Sequence, residues 1–359
     1  MLIKTVIFPI LIFCSSLISC DTFGSVHSDK RGLVGGEIFN VLTYGAKPGS
    51  AQERETIFQG PCKSQFPITI QVQGTLQAVP DISAYSGDGW ISFIEVHGLI
   101  LTGGGTIDGR GNGLWQYNDC KTDPNCILLP ASINMMNVSN AKVKSITLMD
   151  SMGFHMHVMN SYMIRTYSLM IIAPKDSPNA DGIHISKSNT VKVSRSVIKI
   201  GDDYVSVGHM HGSTNVTINK ITCGPGHGIS VGSLGKEPKE PDVKGPIVKN
   251  CTLKGTTNGI RIKTYPTSDP SRAAGILFQD IIMDKVLNPI IIDQNYGTKS
   301  SIPSLVKIIA VNLMCSSLVP CQNVHFHNID LQFVGNAKPT AICDNAKVGY
   351  SGVQFPPPC

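Results

Sequence analysis

Four short segments of this chain carry the residues whose types and spacing could do chemistry. They are, in order, Asn179-Ala180-Asp181, Gly201-Asp202-Asp203, Gly226-His227-Gly228 and Arg261-Ile262-Lys263. Carboxylates that face one cleft are the arrangement that hydrolysis of a glycosidic bond requires. Cations beside them suit a substrate that is itself negatively charged. Together the segments predict a hydrolase that acts on an acidic polysaccharide.

The adjacent carboxylates Asp202 and Asp203 need a particular backbone to act together. Neighbouring residues of a regular strand point to opposite faces, so both can serve one cleft only if the chain bends at Gly201. An isolated Asp-Asp pair is more often a solvated turn. The strand repeat described below, however, places Asp181 one repeat earlier, where stacked strands bring equivalent positions to within about 5 Å. Three carboxylates this close repel one another, and this crowding favours a catalytic interpretation.

The other two segments supply a histidine and two cations. The loop around His227 is too glycine-rich to pack a side chain tightly, so a lone histidine there would ordinarily be solvated. One repeat beyond the carboxylates, His227 could instead hydrogen-bond an acid and hold its proton. Arg261 and Lys263 are two residues apart in a strand, which puts them on one face. In register with the acids, they would form a clamp for a substrate carboxylate.

The elements that must position these residues are short strands and turns. From about Ser132 onward, a turn, an alternating apolar strand, a polar break and a second apolar strand recur. Eight stretches fit this pattern: Ala141–Met149, Met163–Ile172, Thr190–Ile200, Val216–Thr222, Pro246–Leu253, Gly275–Met283, Leu305–Leu313 and Val324–Phe333. A repeat of roughly 20–30 residues without helical periodicity predicts a β-solenoid, in which each coil stacks its apolar strands on the next.

Corner residues support the solenoid over other all-β folds. Asparagine tolerates the left-handed conformation that a tight corner requires. Asparagines precede four of the strands, at Asn140, Asn160, Asn189 and Asn215. The alternative is a β-sandwich, whose strands recur about every 8–12 residues, but hairpin turns such as Asn258-Gly259 are scarce. No low-complexity linker divides the chain, so we predict one domain over residues 21–359.

Composition agrees with a secreted all-β protein. Charged residues make up 15% of the chain, below the average of about 25% for soluble domains, and 35 glycines suit many turns. A formal net charge of +5 favours acidic partners, while no Lys/Arg-rich run or base-stacking motif predicts a nucleic-acid partner. Residues 1–20 follow the pattern of a secretory signal peptide. No later stretch is long and apolar enough to span a membrane.

Cysteines and sequons fit an oxidising compartment. Of the 11 cysteines, Cys14 and Cys20 fall in the predicted signal, and the odd number left predicts at least one unpaired thiol. Candidate pairs are Cys120 with Cys126, Cys315 with Cys321, and Cys343 with Cys359. Sequons compatible with N-glycosylation are at Asn137, Asn215 and Asn250. Because the histidines lack partners at ligand spacing, we predict no metal and no cofactor.

The four segments, in this order, resemble the polygalacturonases of glycoside hydrolase family 28. The family pattern is Asn-Thr-Asp, Gly-Asp-Asp, Gly-His-Gly and Arg-Ile-Lys, followed by a tyrosine that matches Tyr296. The resemblance runs from about Val41 to the C-terminus and is closest to plant pollen-type exopolygalacturonases. It implies an all-β, single-stranded right-handed parallel β-helix. It also implies a monomeric, secreted cell-wall enzyme that cleaves α-1,4 bonds of polygalacturonate with inversion, in the exo mode.

The resemblance also assigns roles to the site residues. Asp202 looks like the general acid that protonates the leaving oxygen, and Asp181 and Asp203 look like the pair that activates water. His227 would orient the acid. The sugar-binding residues would be Asn179, Arg261, Lys263 and Tyr296. Inversion predicts about 6.5–9.5 Å between acid and base carboxyls. Like charges close together raise one carboxyl pKa, which predicts an acidic activity optimum.

Several positions depart from the family pattern. Ala180 replaces a threonine and Gly297 replaces a cysteine. Tyr204 stands where a cysteine usually pairs with the counterpart of Cys223, so that disulfide cannot form. Several dozen family residues are missing between Thr56 and Gly60. In the family, these residues build the N-terminal cap and the first coil. A shortened cap exposes an apolar end of the solenoid, which predicts an intact site on a less stable fold.

Three other functions stay open at this stage. A catalytically silent wall protein would bind pectin without releasing reducing ends. A lyase on a similar solenoid would need calcium and a base, whereas this chain offers a carboxylate trio beside a histidine. A hydrolase for rhamnogalacturonan would share the fold, but Arg261 and Lys263 favour plain galacturonate.

Overall fold

The computed structural model describes residues 55–62, 66–118, 126, 128–208, 212–266, 271–298, 308–335 and 337–359, together with the strand Ser16–Ser19. None of these residues is α-helical. They include three 3-10 helices, at Ile82–Ala84, Gly111–Gly113 and Trp115–Tyr117. The strands are β1 (Ser16–Ser19), β2 (Thr56–Gln59), β3 (Ile68–Gln71), β4 (Thr75–Gln77), β5 (Gly89–Ile94), β6 (Leu99–Thr102), β7 (Thr106–Asp108), β8 (Ala131–Met136), β9 (Ser139–Lys144), β10 (Thr147–Met149), β11 (Met156–Met159), β12 (Tyr162–Tyr167), β13 (Met170–Ile172), β14 (Ile183–Ser186), β15 (Asn189–Lys199), β16 (Val205–Val207), β17 (Thr217–Cys223), β18 (Ile229–Leu234), β19 (Val243–Lys244), β20 (Ile247–Lys254), β21 (Asn258–Thr264), β22 (Ala273–Ala274), β23 (Leu277–Asp284), β24 (Asn288–Asp293), β25 (Ile309–Met314), β26 (Cys321–Asp330), β27 (Thr340–Asp344) and β28 (Ala346–Phe355).

Successive turns of the chain stack these strands in parallel. The first sheet runs β1-β2-β5-β8-β11-β14-β16-β18-β21-β24-β25-β27, one strand from each coil. The second sheet runs β3-β6-β9-β12-β15-β13-β10-β7-β4 and continues from β15 through β17 and β20 to β23. Two small sheets pair β19 with β22 and β26 with β28. The architecture is a parallel β-helix, so the predicted solenoid is confirmed and the β-sandwich alternative is wrong.

Bends inside the predicted strand segments divide each coil into faces. Ala141–Met149 and Met163–Ile172 each form two strands, as the pattern of strand, polar break and second strand predicted. The chain takes a left-handed residue at Ser145 and at Ser168, between the two strands of each pair. β15 passes the same corner as one long strand, with Arg195 left-handed at the bend. The predicted break between two strands is therefore present in the first two segments and absent in Thr190–Ile200.

Most of the predicted asparagine corners are present. Asn140, Asn160 and Asn215 have φ of 56°, 47° and 54°. Asn189 was predicted in the same role, and this is wrong, because the left-handed residue is its neighbour Thr190, with φ of 58°. Asn189 supports that corner through its side chain, whose Oδ1 accepts a hydrogen bond from the Thr190 hydroxyl at 2.6 Å.

The interior of the coil holds ladders of stacked apolar side chains. In the first sheet, Met156, Ile183, Val205 and Ile229 are partners in successive strands, and all are fully buried. Burying one such side chain contributes roughly 1.5–3 kcal/mol. Because a slip of one residue would expose the whole ladder, this packing sets the register of the coils. That register decides which polar residues meet on the outer face.

Two of the predicted disulfides are confirmed, Cys315–Cys321 and Cys343–Cys359. Cys62 and Cys126 are also disulfide-bonded. Cys120, the predicted partner of Cys126, lies outside the described residues, so that pairing stays a prediction.

The N-terminal strands β1 and β2 lie at one end of the first sheet. Of the predicted signal peptide, only Ser16–Ser19 is described, as a strand parallel to β2, and its cleavage stays a prediction. Phe58 of β2 stacks on Phe93 of β5, with ring centres 5.0 Å apart. Among the described residues, we find no helix with the length and apolar character needed to cross a membrane.

Candidate active site

Three of the predicted site residues lie just before the N-terminal ends of neighbouring strands in the first sheet. The first residues of β14, β16 and β18 are partners in register. Asp181, Asp203 and His227 each come two residues before the start of these strands. They therefore stack at one level of three consecutive coils, as the repeat predicted.

A bend before β16 brings Asp202 to the same side as Asp203. The chain bends at Gly201 and Asp202, as predicted. An added Cβ at Gly201 would collide with the carbonyl oxygen of Ser177, so this close passage of two coils requires glycine. The Oδ1 atom of Asp202 accepts the Asp203 backbone N–H at 2.9 Å. This hydrogen bond fixes the position of the Asp202 carboxylate beside Asp203.

Asp203 is the centre of a buried ion-pair network. Its Oδ1 accepts hydrogen bonds from Arg261 Nη2 at 2.9 Å and from Ser230 Oγ at 2.8 Å, and its Oδ2 accepts one from Lys263 Nζ at 2.8 Å. Burial alone would raise the carboxyl pKa, but Lys263 and Arg261 outweigh burial and hold the pKa of Asp203 well below its usual range. Asp203 therefore carries a fixed negative charge.

Asp181 has surroundings of the opposite kind. It is 6% exposed, and its Oδ2 accepts a hydrogen bond from Ser206 Oγ at 2.6 Å and lies 3.2 Å from His184 Nδ1. Burial, followed by the charges of Asp202 and Asp203, raises the pKa of Asp181 well above its usual range, against the hydrogen bond from Ser206. One cleft thus holds two carboxyl groups with opposite pKa shifts.

Asp202 and His227 form a pair nearer to solvent. His227 Nδ1 lies 2.7 Å from Asp202 Oδ1, and their side chains are 33% and 17% exposed. The hydrogen bond to Asp202 raises the pKa of His227, and burial opposes it only partly. His227 is therefore readily protonated at mildly acidic pH and donates its Nδ1–H to Asp202.

The two cations share one face of β21, as predicted, and are mostly buried. Lys263 is 7% exposed, and its Nζ lies 5.1 Å from the ring centre of Tyr296. Tyr296 meets Tyr265 edge to face, with ring centres 5.4 Å apart. Burial lowers the pKa of Arg261 and of Lys263, but Asp203 and the other groups around them together raise both above their usual values. Both side chains therefore stay charged.

The structure thus links six of the eight predicted site residues through direct contacts, namely Asp202, Asp203, His227, Arg261, Lys263 and Tyr296. Asp181 lies beside them through the register of β14 and β16, and its charge interacts with those of Asp202, Asp203 and Lys263. The eighth, Asn179, is half-buried with φ of 51°, and it joins the site through its position two residues before Asp181. The fully buried Ala180 separates them, so the change from threonine is accommodated in the packing.

Several residues that hold these side chains in place lie outside the predicted motifs. His184, Ser206, Ser230 and Arg261 are successive partners in one column of the first sheet. The two serines contact Asp181 and Asp203, and His184 contacts Asp181. The signal that could have found them was the strand register, because each occupies the same position of its coil as Arg261.

The predicted loss of a disulfide near the site is confirmed. Cys223 and Cys251 are free and buried. Tyr204 takes the place of the partner cysteine and is fully buried. An added Cβ at Gly226, in the loop that carries His227, would come within 2.8 Å of the Tyr204 ring. The ring therefore packs directly beneath this loop, where a covalent link is missing.

Asp202, Asp203 and His227 also place one possible metal-ligand atom each within 4.8 Å of the others. Both oxygens of Asp203 already accept hydrogen bonds from the cations Arg261 and Lys263. Because its charge is compensated in this way, we assign no metal to this cluster.

Comparisons with known proteins agree with this geometry. The sequence model described as glycosyl hydrolases family 28 matches residues 42–352. An exopolygalacturonase of Oenothera organensis is 42% identical over 322 residues, which cover 84% of this chain and 88% of that protein. A polygalacturonase of Brassica napus is 41% identical over 326 residues, covering 85% and 81%.

A third relative contains residues that this chain lacks. An exopolygalacturonase of Platanus acerifolia is 36% identical over 369 residues, covering 89% of this chain and 97% of that protein. The alignment is longer than the part of this chain that it covers, so part of the relative has no counterpart here.

Solved structures share the fold at low sequence identity. A polygalacturonase from Erwinia carotovora ssp. carotovora superposes with a TM-score of 0.62 at 20% identity, covering 84% of this chain and 83% of that chain. Endopolygalacturonase I from Stereum purpureum gives a TM-score of 0.60 at 16% identity, covering 84% and 92%. These likenesses establish the parallel β-helix.

Proposed function

The chain belongs to glycosyl hydrolases family 28, and on this premise we propose that it is a polygalacturonase that cleaves α-1,4 bonds of polygalacturonate with inversion. One observation carries the proposal: three carboxyl groups with unlike surroundings meet in one cleft beside two charged cations. Inverting hydrolysis needs one carboxyl that gives a proton and another that activates water. The substrate's own carboxylates need cations.

We assign the general acid to Asp202 because of how its two oxygens are held. Oδ1 accepts hydrogen bonds from His227 and from the Asp203 backbone. Oδ2 accepts none from the residues that the structure describes, so it is the oxygen that can carry a proton toward the glycosidic oxygen. Asp202 also has the greatest exposure of the three carboxylates, which suits contact with the leaving group. His227 orients the acid from behind.

The water-activating pair divides its work. Asp203 has both oxygens engaged by Arg261, Ser230 and Lys263, so its part is to supply a fixed negative charge. Among the described residues, Asp181 has partners only at Oδ2, which leaves Oδ1 to accept the proton of the attacking water. A raised pKa makes Asp181 the better proton acceptor of the two.

The sugar-binding residues proposed are Asn179, Arg261, Lys263 and Tyr296. Arg261 has five N–H donors and Lys263 has three, so donors remain after the bonds to Asp203. They suit the carboxylate of a galacturonate unit. The relatives named exopolygalacturonase, at 42% identity, support cleavage from a chain end.

The N-terminal signal pattern and the plant relatives support a secreted cell-wall enzyme. The three sequon residues, Asn137, Asn215 and Asn250, are all exposed at coil corners, so they are open to glycosylation. A fall in mass after endoglycosidase treatment of the secreted protein is the expected result.

Purified protein incubated with polygalacturonate tests the function, with products sized over time. We expect galacturonate monomers to accumulate from the outset and Asp202→Asn to abolish their release. Binding to oligogalacturonate without any reducing ends would instead identify a silent pectin-binding protein. Products of mixed length from the start would contradict the exo mode alone.

The pH profile tests the assignment of roles. Asp181 must be ionised to accept a proton, and Asp202 must be protonated to give one, so kcat/KM should be bell-shaped with an acidic optimum. A rate that stays flat from about pH 4 to 8 would contradict this assignment.

A further inference from the structure

Three buried polar side chains lie behind Asp181 and have no part in the mechanism above. They are His155, His184 and Ser206, which are 0%, 4% and 2% exposed. Burying polar groups costs free energy unless each is hydrogen-bonded. A cluster of three behind one carboxylate therefore calls for a reason beyond packing.

Ser206 and His184 form a chain of hydrogen bonds that ends on the carboxylate. Ser206 Oγ lies 2.7 Å from His184 Nδ1 and 2.6 Å from Asp181 Oδ2. Because an ionised carboxylate only accepts, the hydroxyl hydrogen points to Asp181. The Nδ1–H of His184 then donates to the serine oxygen and also faces Asp181 Oδ2 directly, at 3.2 Å. The direction of each bond follows from the chemistry of its ends.

The His184 ring is held in a single orientation. It stacks on Phe154 with ring centres 4.3 Å apart and an angle of 2° between planes, and it meets His157 edge to face at 5.2 Å. Burial, followed by Lys263, lowers the pKa of His184 to about 4. A neutral ring fixed in this way is an oriented donor rather than a counter-charge.

His155 holds the backbone of the same residue. Its N–H donates to the Asp181 carbonyl oxygen at 2.8 Å, and its Nδ1–H donates to that oxygen at 3.0 Å. Burial lowers the pKa of His155 to about 4, so this ring is neutral as well. His155 thus holds the main chain of Asp181. His184 and Ser206 hold its carboxylate.

We propose that Ser206, oriented by His184, is a positioning residue that fixes Oδ2 of Asp181 and thereby aims Oδ1 at the attacking water. This inference rests on the proposed function, because it concerns the base of that reaction. The competing interpretation is that these side chains only satisfy one another in the interior. The two interpretations differ in what happens to the pH profile when the serine hydroxyl is removed.

The direction of that change follows from linkage. The hydroxyl donates to the ionised form of Asp181 and so favours it. Other charged groups that face Asp181 are Asp202, Asp203 and Lys263, and a substitution at Ser206 leaves all three in place. Without the hydroxyl, the pKa of Asp181 should rise further, and the acidic limb of kcat/KM should move to higher pH.

The test compares wild type with Ser206→Ala. Hydrogen bonds to charged groups contribute about 1.5–3 kcal/mol, so we expect kcat to fall about tenfold or more and the acidic limb to rise by about one pH unit. KM should change little, because Arg261 and Lys263 keep their positions. An unchanged limb with unchanged kcat, or a rise in KM alone, would overturn the proposal.

Ser92→Ala is the matched control. Ser92 is a buried serine of the same column, aligned with Ser206 through the register of the intervening strands, and it lies four coils away from Ser206 and three from Asp181. It should leave kcat and the pH profile as in wild type. An equal loss in both variants would show that any serine removed from this face disturbs the fold, and would overturn the proposal.

A second pair of variants tests the role of the ring. His184→Asn keeps a donor near the place of Nδ1, whereas His184→Phe keeps only the stacking on Phe154. We expect the asparagine variant to retain several times more kcat than the phenylalanine variant. Equal activities would overturn the proposal, and this comparison stands even if Ser206→Ala fails to fold.

A titration separates this inference from the proposed function. If wild type releases no sugar, the proposed function fails, and the Asp181 carboxyl can still be titrated by carbon NMR in wild type and Ser206→Ala. An upward pKa shift in the variant supports the positioning role, and an unchanged pKa overturns it.

Discussion

Asp181 and Asp203 occupy the same level of neighbouring coils, yet the protein treats the two carboxylates in opposite ways. Asp203 accepts hydrogen bonds from two cations and a serine, and its pKa is held low. Asp181 is surrounded by neutral donors and by like charges, and its pKa is raised. One environment fixes a charge, and the other prepares a group to take up a proton.

The difference comes from the side chains that surround each carboxylate. Arg261 and Lys263 enter the outer face two coils after Asp203 and reach back to both of its oxygens. One coil earlier, Asp181 receives Ser206 and His184 instead. In a solenoid, a shift of one coil is therefore enough to convert a structural anion into a candidate base.

The largest expected effect is on the fixed charge. Asp203→Asn leaves Arg261 and Lys263 buried without their shared counter-charge, and breaking a buried pair typically costs about 3–5 kcal/mol. We expect the free energy of unfolding in denaturant to fall by that amount and hydrolysis to be lost. A loss below about 1 kcal/mol would show that Asp203 is not the charge on which the cations depend.

An exposed ion pair provides the control for this loss. Lys244 and Asp242 lie 2.9 Å apart, but the lysine side chain is 60% exposed. Exposed pairs contribute about 0–1 kcal/mol. Lys244→Met should therefore leave both stability and activity close to those of wild type.

The next largest effect is expected at Asp181, where a substitution should increase the free energy of unfolding. A raised carboxyl pKa means that ionised Asp181 destabilises the fold at neutral pH. Asp181→Asn should therefore increase the free energy of unfolding at pH 7, while hydrolysis is lost. This gain should shrink as pH falls toward the usual carboxyl pKa, because wild-type Asp181 then becomes neutral as well. A loss of stability at pH 7 would contradict the comparison.

The smallest effect concerns the packing beneath the His227 loop. The Tyr204 hydroxyl is buried and has no hydrogen-bond partner in the described part of the chain. An unsatisfied buried group costs about 1–3 kcal/mol. Tyr204→Phe should therefore raise thermal stability slightly, by about 1 kcal/mol in the free energy of unfolding, and leave kcat unchanged. A clear fall in stability would show that the hydroxyl has a partner.

Much of the site could be predicted because each motif is local. The bend at Gly201 and the shared face of Arg261 and Lys263 follow from strand geometry alone. Ser206 and His184 could not be found in this way, because a serine or histidine in a short strand has no meaning until the coils are in register. The burial of Lys263 was also missed, since two cations in a strand ordinarily indicate surface.

The fold could also be predicted from a pattern in the sequence, but the prediction was wrong at one corner. Apolar ladders repeat along the chain, and their repeat indicates a solenoid without any knowledge of register. The corner at Asn189 was misplaced by one residue because Thr190, a β-branched residue, adopts the left-handed conformation there. Local propensity favours asparagine at that position, and the side-chain bond between the two residues decides otherwise.

Site-resolved titration of the aspartate carboxyl groups tests the central claim most directly. In wild-type protein, we expect Asp181 to take up its proton well above the usual carboxyl pKa and Asp203 to stay ionised well below it. Two ordinary and similar titrations, or the reverse order, would contradict the division of roles between the two coils.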